Sequence, residues 1–183
     1  MTLRDVVRDG TPAQLREYAS QVDVQHASGF MYLVTRDADM VYELHRQGVK
    51  MTRDIVDHAM YLLTEQYMEL VPHLSVIVAL LDVARLQDIQ IDVTRIETAN
   101  HVGWIRRMYI QYVVCVLNGW GIRVNGWSTN PIEIAKPLMA EMKRQLPDYK
   151  SDETQWTRAH IDVKMTGTLE SIQWMGLGHV IYP

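Results

Sequence analysis

Cysteine, phenylalanine and glycine are scarce in this chain of 183 residues. Cys115 is the only cysteine, so an intrachain disulfide is excluded and a reducing compartment is expected. Phe30 is the only phenylalanine, against nine tyrosines and five tryptophans, whose polar groups suit half-buried positions and interfaces. No glycine occurs between Gly48 and Gly103, so little besides a proline interrupts regular structure in that segment.

Long apolar runs and an excess of positive charge are also lacking. The longest mainly apolar segments, residues 74–81 and 108–117, are far shorter than the ~20 residues that a membrane helix requires. The first ten residues carry both acids and bases and have no apolar centre, unlike a signal peptide. The formal net charge of -4 argues against a strongly basic nucleic-acid binder. We therefore expect a soluble protein of the cytoplasm or of a virion, which is not secreted and does not span a membrane.

The motifs of common enzyme chemistry are absent from the sequence. The chain has no Gly-x-Ser-x-Gly nucleophile elbow, no Gly-x-x-x-x-Gly-Lys phosphate loop and no His-Glu-x-x-His zinc motif. Gly119 and Gly121 lack the third glycine of a dinucleotide-binding fingerprint. Cys115 lies in an apolar run, which is typical of a small buried residue rather than of a reactive thiolate. We therefore predict no catalytic, cofactor-binding or metal-ligating residue, expect no cofactor, and do not expect an enzyme.

Three acid–histidine pairs support the main alternative, a metal-dependent enzyme. In each pair the acid precedes the histidine by four positions, so both side chains would lie on one helical face. The pairs are Asp54–His58, Glu69–His73 and Glu97–His101. No Glu-x-x-His motif of a di-iron bundle accompanies them, so solvated pairs that support their helices are the simpler interpretation.

A stripe of apolar residues in the middle of the chain predicts long buried helices. Its members recur at alternating steps of four and three residues, the spacing that places side chains on one helical face packed against other helices. They are Val56, Met60, Leu63, Tyr67, Leu70, Leu74, Ile77, Leu81 and Ala84. All of them except Tyr67 and Ala84 are expected to form the main core. Thr52 is a candidate cap for a helix that runs to about residue 71. Pro72 removes a backbone donor, so we expect a kink or break there, followed by a helix to about residue 86.

Capping signals predict further helices on both sides of the stripe. Thr11-Pro12-Ala13-Gln14 and Thr94-Arg95-Ile96-Glu97 are predicted capping boxes, while Gly48 and Asn118-Gly119 are predicted stops. The resulting predicted helices span residues 12–22, 36–47, 95–117 and, after Asn130-Pro131, 131–146. Asn-Gly is also a hairpin signal, so residues 112–127 have a β-meander as their alternative, with a short strand at 120–124.

Alternation replaces helical spacing towards the end of the chain. Residues 160–166 place Ile161, Val163 and Met165 on one side, which is the period of a half-buried strand. Two more strands are predicted over residues 168–175 and 179–182. The predicted fold is therefore mainly α (α+β), an irregular helical bundle with a small C-terminal antiparallel β element. We expect residues 1–118 to form the bundle and 119–183 to form a helix plus the β element, packed on it as one domain.

The same C-terminal part contains the candidate interface residues. A subdomain of this size cannot easily bury four tryptophans, and the edge of a small sheet accepts strands from a neighbour. The candidates are Trp120, Trp127, Trp156, Trp174 and Tyr182. A second alternative, a nucleic-acid-binding accessory protein, would use these tryptophans with the basic residues Lys136, Lys143, Arg144 and Lys150.

Taken together, the sequence favours a self-associating structural or assembly protein without catalytic activity. A viral (phage) virion, shell or connector subunit is an example of that class. The expected partners are further copies of the chain or a larger protein assembly, with nucleic acid as a weaker expectation. This interpretation depends on the missing chemical motifs and on the tyrosine- and tryptophan-rich composition.

Overall fold

The computed structural model of the chain describes residues 2–67, 74–99 and 104–127. Seven α-helices and one 3-10 helix occupy these ranges, which contain no strand, so the mainly α character of the predicted fold is confirmed there. They are α1 Leu3–Asp9, α2 Pro12–Gln21, the 3-10 helix Gly29–Leu33, α3 Ala38–Arg46, α4 Arg53–Thr64, α5 Leu74–Leu86, α6 Thr94–Glu97 and α7 Trp104–Gly119. None of these helices is long and apolar enough to cross a membrane.

The chain divides into two compact units, Met1–Arg95 and Ile96–Pro183. The helix predicted over residues 131–146 and the β element of residues 160–183 lie outside the described residues. The expected division into residues 1–118 and 119–183, packed as one domain, stays a prediction.

α5 is the central helix of the first unit. It packs against α3 and α4, while α2 packs against α1 and α3. α5 carries buried apolar side chains on most of its faces, which is typical of a helix that packs among other helices. Most members of the predicted stripe are buried as expected: Val56, Met60, Leu63, Leu74, Ile77, Leu81 and Ala84. Leu70 lies outside the described residues.

One predicted boundary in each of three helices is confirmed. α2 begins with the expected capping box, in which the Gln14 amide donates to Thr11 Oγ1 at 3.3 Å and the Thr11 amide donates to Gln14 Oε1 at 2.8 Å. α3 ends just before Gly48, whose φ of +81° lies in the left-handed region that glycine adopts readily. α5 ends at Leu86, the residue predicted.

α4 is shorter than predicted. It ends at Thr64 rather than near residue 71, and the stripe residue Tyr67 is 78% exposed instead of buried. Thr64 Oγ1 donates to the Met60 carbonyl at 2.8 Å, a bond within the helix that competes with regular backbone pairing. The amides of Glu65 and Gln66 both donate to the Tyr61 carbonyl, which closes the last turn. At the other end Thr52 occupies the cap position, but its side chain makes no capping hydrogen bond.

The predicted capping box at Thr94 is wrong, and so is the single helix over residues 95–117. The Thr94 amide and hydroxyl both donate to Asp92 Oδ1, at 2.9 and 2.6 Å, so a carboxylate takes the role expected of the threonine. These hydrogen bonds from Thr94 lower the pKa of Asp92. Glu97 Oε1 accepts from the Asn125 amide at 2.9 Å instead of closing the box. The segment therefore forms the short α6 and the separate α7.

The end of α7 confirms the helix and excludes the β alternative. α7 continues to Gly119, as the Asn118-Gly119 signal predicts. The Ile122 amide donates back to the Leu117 carbonyl at 2.9 Å. This amide is therefore not paired with a neighbouring strand. Neither the meander over residues 112–127 nor the strand at 120–124 is present.

Two elements were missed from the sequence. α1 begins with a capping box of Thr2 and Asp5, in which the Thr2 amide donates to Asp5 Oδ2 at 3.0 Å. The hydrogen bonds from Thr2 lower the pKa of Asp5. The second is the 3-10 helix Gly29–Leu33, which is too short to show helical periodicity in its sequence. This helix contains both the exposed Phe30 and the buried Tyr32.

Candidate protein interface

One face of the 3-10 helix points into the first unit. A 3-10 helix makes a turn in three residues, so Gly29 and Tyr32 share a face, and Thr35 follows them just beyond its end. Tyr32 is completely buried and Thr35 is 5% exposed. A Cβ at Gly29 would lie 2.7 Å from the Lys50 carbonyl oxygen, so this close approach of two backbones requires glycine.

The other two faces of the 3-10 helix carry only apolar side chains and reach the surface. Phe30 aligns with Leu33, and Met31 aligns with Val34, the residue that ends the helix. The Phe30 side chain is 56% exposed, and the other three residues are half-buried. We call these four residues, Phe30, Met31, Leu33 and Val34, the apolar knuckle.

Tyr32 anchors the apolar knuckle from behind. Its hydroxyl donates to the Val49 carbonyl at 2.8 Å, which ties the 3-10 helix to the segment between α3 and α4. Burial raises the pKa of Tyr32 to about 12. The Ser28 hydroxyl accepts from the Phe30 amide at 3.2 Å and caps the start of the same helix.

Gln87 completes this anchor with a single amide group. Its Oε1 accepts from the Met51 amide at 2.9 Å, and its Nε2 donates to the Val49 carbonyl at 3.1 Å. These two backbone partners determine the orientation of the amide, because one is an obligatory donor and the other an obligatory acceptor. Nε2 also lies 3.3 Å from the Tyr32 hydroxyl and 3.1 Å from His45 Nδ1.

Glu43 is the most buried acid of the described part, and both oxygens of its carboxylate accept hydrogen bonds from other side chains. Its Oε2 accepts from Arg16 at 3.2 Å and from Arg46 at 2.5 Å, while Oε1 accepts from Gln47 at 2.7 Å. The Glu43 side chain is 1% exposed, and both arginines are more than half exposed. This carboxylate links α2 to α3, so its oxygens are engaged within the fold.

Of the predicted interface residues, the structure describes Trp120 and Trp127. Both are half-buried and lie in the segment that follows α7. Trp127 Nε1 donates to the Ile96 carbonyl at 2.8 Å, and the Arg107 guanidinium lies 5.5 Å from the centre of the Trp127 ring. Trp156, Trp174 and Tyr182 lie outside the described residues.

The acid–histidine pairs are only partly described. Asp54 and His58 are both exposed, and the His58 ring lies 6.0 Å from the ring of Tyr61, centre to centre. Within the described ranges, no group of three histidine, cysteine or acidic side chains is close enough to hold a metal ion. Glu69, His73 and His101 lie outside those ranges, as do the basic residues from Lys136 to Lys150.

Cys115 is half-buried on α7 rather than fully buried as predicted. Burial raises the pKa of its thiol, which keeps the side chain in the less nucleophilic protonated form.

The apolar knuckle was missed although the sequence contains its signal. Residues 30–34 are five consecutive apolar residues between polar segments. A run of this length has neither helical spacing nor strand alternation, so periodicity does not detect it, but exposed runs of this kind indicate binding surfaces. No protein-family model, curated protein or solved structure matches the chain.

Proposed function

We propose that this chain is a self-associating structural or assembly protein without catalytic activity, and that the apolar knuckle is one of its contact surfaces. The observation that carries this proposal is a short helix, anchored by Tyr32, that carries four apolar residues at the surface, with Phe30 more than half exposed and the other three half-buried. Aromatic anchors on a preorganised backbone contribute most of the binding energy of protein interfaces, because little entropy is lost when they dock.

The rigidity of the apolar knuckle distinguishes it from an ordinary exposed side chain. Single apolar residues on a surface need no explanation. Here, however, Gly29 lies against the Lys50 backbone, and Tyr32 and Gln87 hold the helix from behind. These contacts hold the helix with Phe30 exposed beside three half-buried apolar residues, and exposed apolar surface costs solvation free energy until a partner covers it.

A second copy of the chain is the proposed partner. Most soluble oligomers are built from identical copies, commonly around a two-fold axis that brings the same patch together twice. Four residues are an anchor and not a complete interface, since stable contacts bury roughly 800 Å² on each partner. Residues around the apolar knuckle must therefore complete the contact. The single cysteine supports assembly in a reducing compartment, the cytoplasm or a virion. Virion, shell and connector subunits belong to this proposal as examples.

Native mass across a range of protein concentrations tests the proposal. We expect the wild-type chain to form a dimer or a larger closed particle. Phe30→Asp should weaken that association at least about tenfold, because it places a charge in the apolar contact. Val22→Asp is the matched control, since Val22 is a 46% exposed apolar residue outside the apolar knuckle. A wild-type chain that stays monomeric at every concentration contradicts self-association. Equal effects of the two substitutions contradict the role of the apolar knuckle.

A further inference from the structure

The segment after α7 forms a polar pocket in the second unit. Its volume is about 330 Å³, at the lower end of the roughly 300–1,000 Å³ that is typical of small-molecule sites. Asn118, Arg123, Asn125 and Trp127 are among the residues that line it. Gly121 and Gly126 line it too. Both have a φ of +81°, and a Cβ on either would meet nothing within 4 Å, so the backbone faces open space at both turns.

Trp127 lines this pocket, and two contacts hold its ring in place. Its Nε1 is engaged by the Ile96 carbonyl, and the Arg107 guanidinium covers part of its ring. Trp127 is among the residues that line the pocket, and Arg107 is not. An indole held in this way can stack a flat ring with little loss of entropy.

Hydrogen-bonding groups are available along the rest of the lining. Within the described residues, the side chains of Asn118, Arg123 and Asn125 have no hydrogen-bond or ion-pair partner. The two amides offer donors and acceptors, and the guanidinium offers donors in a fork that matches a phosphate or carboxylate. A site with these groups fits a ligand that combines a flat polar ring with an anion.

The sequence of this segment favours an anion, although the whole chain is acidic, because it contains three arginines and no acidic residue between Glu97 and Glu133. The Glu97 carboxylate lies beside the lining, where its Oε1 accepts from the Asn125 amide at 2.9 Å. The carbonyls at the end of α7 would disfavour an anion if they were free. Three of them, however, accept from loop amides: Leu117 accepts from Ile122 at 2.9 Å, Asn118 from Gly121 at 3.0 Å, and Val116 from Trp120 at 3.1 Å.

We propose that this pocket binds a nucleotide, with the base against Trp127, its polar edge at the asparagine amides and the phosphate on Arg123. Either of two ligands could supply this base and phosphate: a free mononucleotide, or one nucleotide within a single strand of nucleic acid. This inference concerns the second unit and is independent of the association proposed for the apolar knuckle.

Calorimetric titration of the full-length chain at low salt tests the pocket. The probes are AMP, adenosine, inorganic phosphate and a single-stranded six-nucleotide adenylate RNA. AMP should bind more tightly than adenosine or phosphate alone, because only AMP uses both the ring wall and the guanidinium. Arg123→Gln should weaken AMP binding about tenfold or more. Arg4→Gln, which removes the same charge from an exposed arginine of the first unit, should leave it unchanged.

The RNA distinguishes the two sources of the nucleotide. Affinity for the RNA well above that for AMP assigns the pocket to a single strand, and equal or weaker affinity assigns it to the free nucleotide. Absence of AMP binding at millimolar concentration overturns the proposal. AMP affinity that survives Arg123→Gln, or that falls equally with Arg4→Gln, also overturns it, and phosphate binding as tight as AMP binding contradicts the stacking role of Trp127.

Discussion

At the scale of single residues, the Gln87 side chain connects several distant parts of the first unit. It follows α5 in the chain, yet its amide pairs with the backbone of Val49 and Met51 and lies against Tyr32 and His45. These partners are separated from it by 36 to 55 positions in the sequence. No local pattern predicts such a contact, because it depends on how α3, α5 and the 3-10 helix pack.

Replacement of Gln87 tests that role. Gln87→Leu leaves the Met51 amide and the Val49 carbonyl without this partner, so the free energy of unfolding should fall by about 2–3 kcal/mol. Denaturant unfolding of the purified variant measures the change. Gln90→Leu is the matched control, because Gln90 is exposed and should alter stability by less than about 0.5 kcal/mol. Similar stabilities of the two variants would show that the Gln87 amide is not a structural anchor.

Tyr32 makes the stability of the first unit sensitive to alkaline pH. Its pKa is raised to about 12 by burial, so the folded chain retains the phenolic proton above pH 10, where an unfolded chain loses it. The folded state then binds more protons than the unfolded state, and the free energy of unfolding should decrease as pH rises from about 10 to 12.

The measurement is denaturant unfolding at several pH values in this window. Tyr32→Phe lowers stability at neutral pH by removal of the hydrogen bond to Val49, but its further loss of stability between pH 10 and 12 should be smaller than that of the wild type. Tyr67→Phe is the control, since Tyr67 is 78% exposed. An equal pH dependence in the wild type and in Tyr32→Phe would refute this role of the Tyr32 hydroxyl.

At the scale of elements, the sequence predicts helices more reliably than it predicts where they stop. The capping box at Thr11 and the stop at Gly48 are local signals, and the structure follows both. α4 departs from its prediction because Thr64 bonds its own helix and Tyr67 turns outwards, although Tyr67 keeps the apolar spacing in phase. The box at Thr94 fails because a stronger acceptor, Asp92, stands two residues earlier.

The predicted interface residues stay a prediction, since Trp156, Trp174 and Tyr182 lie outside the described residues. Composition pointed to the tryptophans, and Trp127 does line a pocket. The apolar knuckle escaped because exposure is a tertiary property: Tyr32 and Phe30 are neighbours of similar size, yet one is completely buried and the other is 56% exposed. Their different environments follow from the close approach of Gly29 to Lys50, which a sequence pattern does not reveal.

The packing of α4 and α5 should dominate the stability of the first unit. Leu63→Ala and Leu81→Ala each remove a side chain that is 1% exposed, so each should lower the free energy of unfolding by about 2–5 kcal/mol. Leu86→Ala is the matched control, because Leu86 lies on the same α5 but is 48% exposed. Thermal and denaturant unfolding both measure the effect. Two leucine variants as stable as the control would contradict the assignment of the core.

At the scale of the whole molecule, each of the two units has a surface of its own to test. The first presents the apolar knuckle, held by Tyr32 and Gln87, and the second presents the pocket beside Trp127. The proposed self-association and the proposed ligand binding should therefore be separable by substitution. Phe30→Asp should weaken association and leave the pocket intact, and Arg123→Gln should do the reverse.

Photo-crosslinking at position 30 tests the central claim most directly. Phe30→p-benzoylphenylalanine keeps an aromatic side chain in the apolar knuckle, and illumination of a mixture of isotopically heavy and light copies records what that side chain touches. We predict crosslinked peptides that join one heavy copy to one light copy, at residues around the apolar knuckle of the second copy. Crosslinks confined to single copies, in a sample whose native mass exceeds that of the monomer, would contradict the claim that the apolar knuckle is a contact surface between subunits.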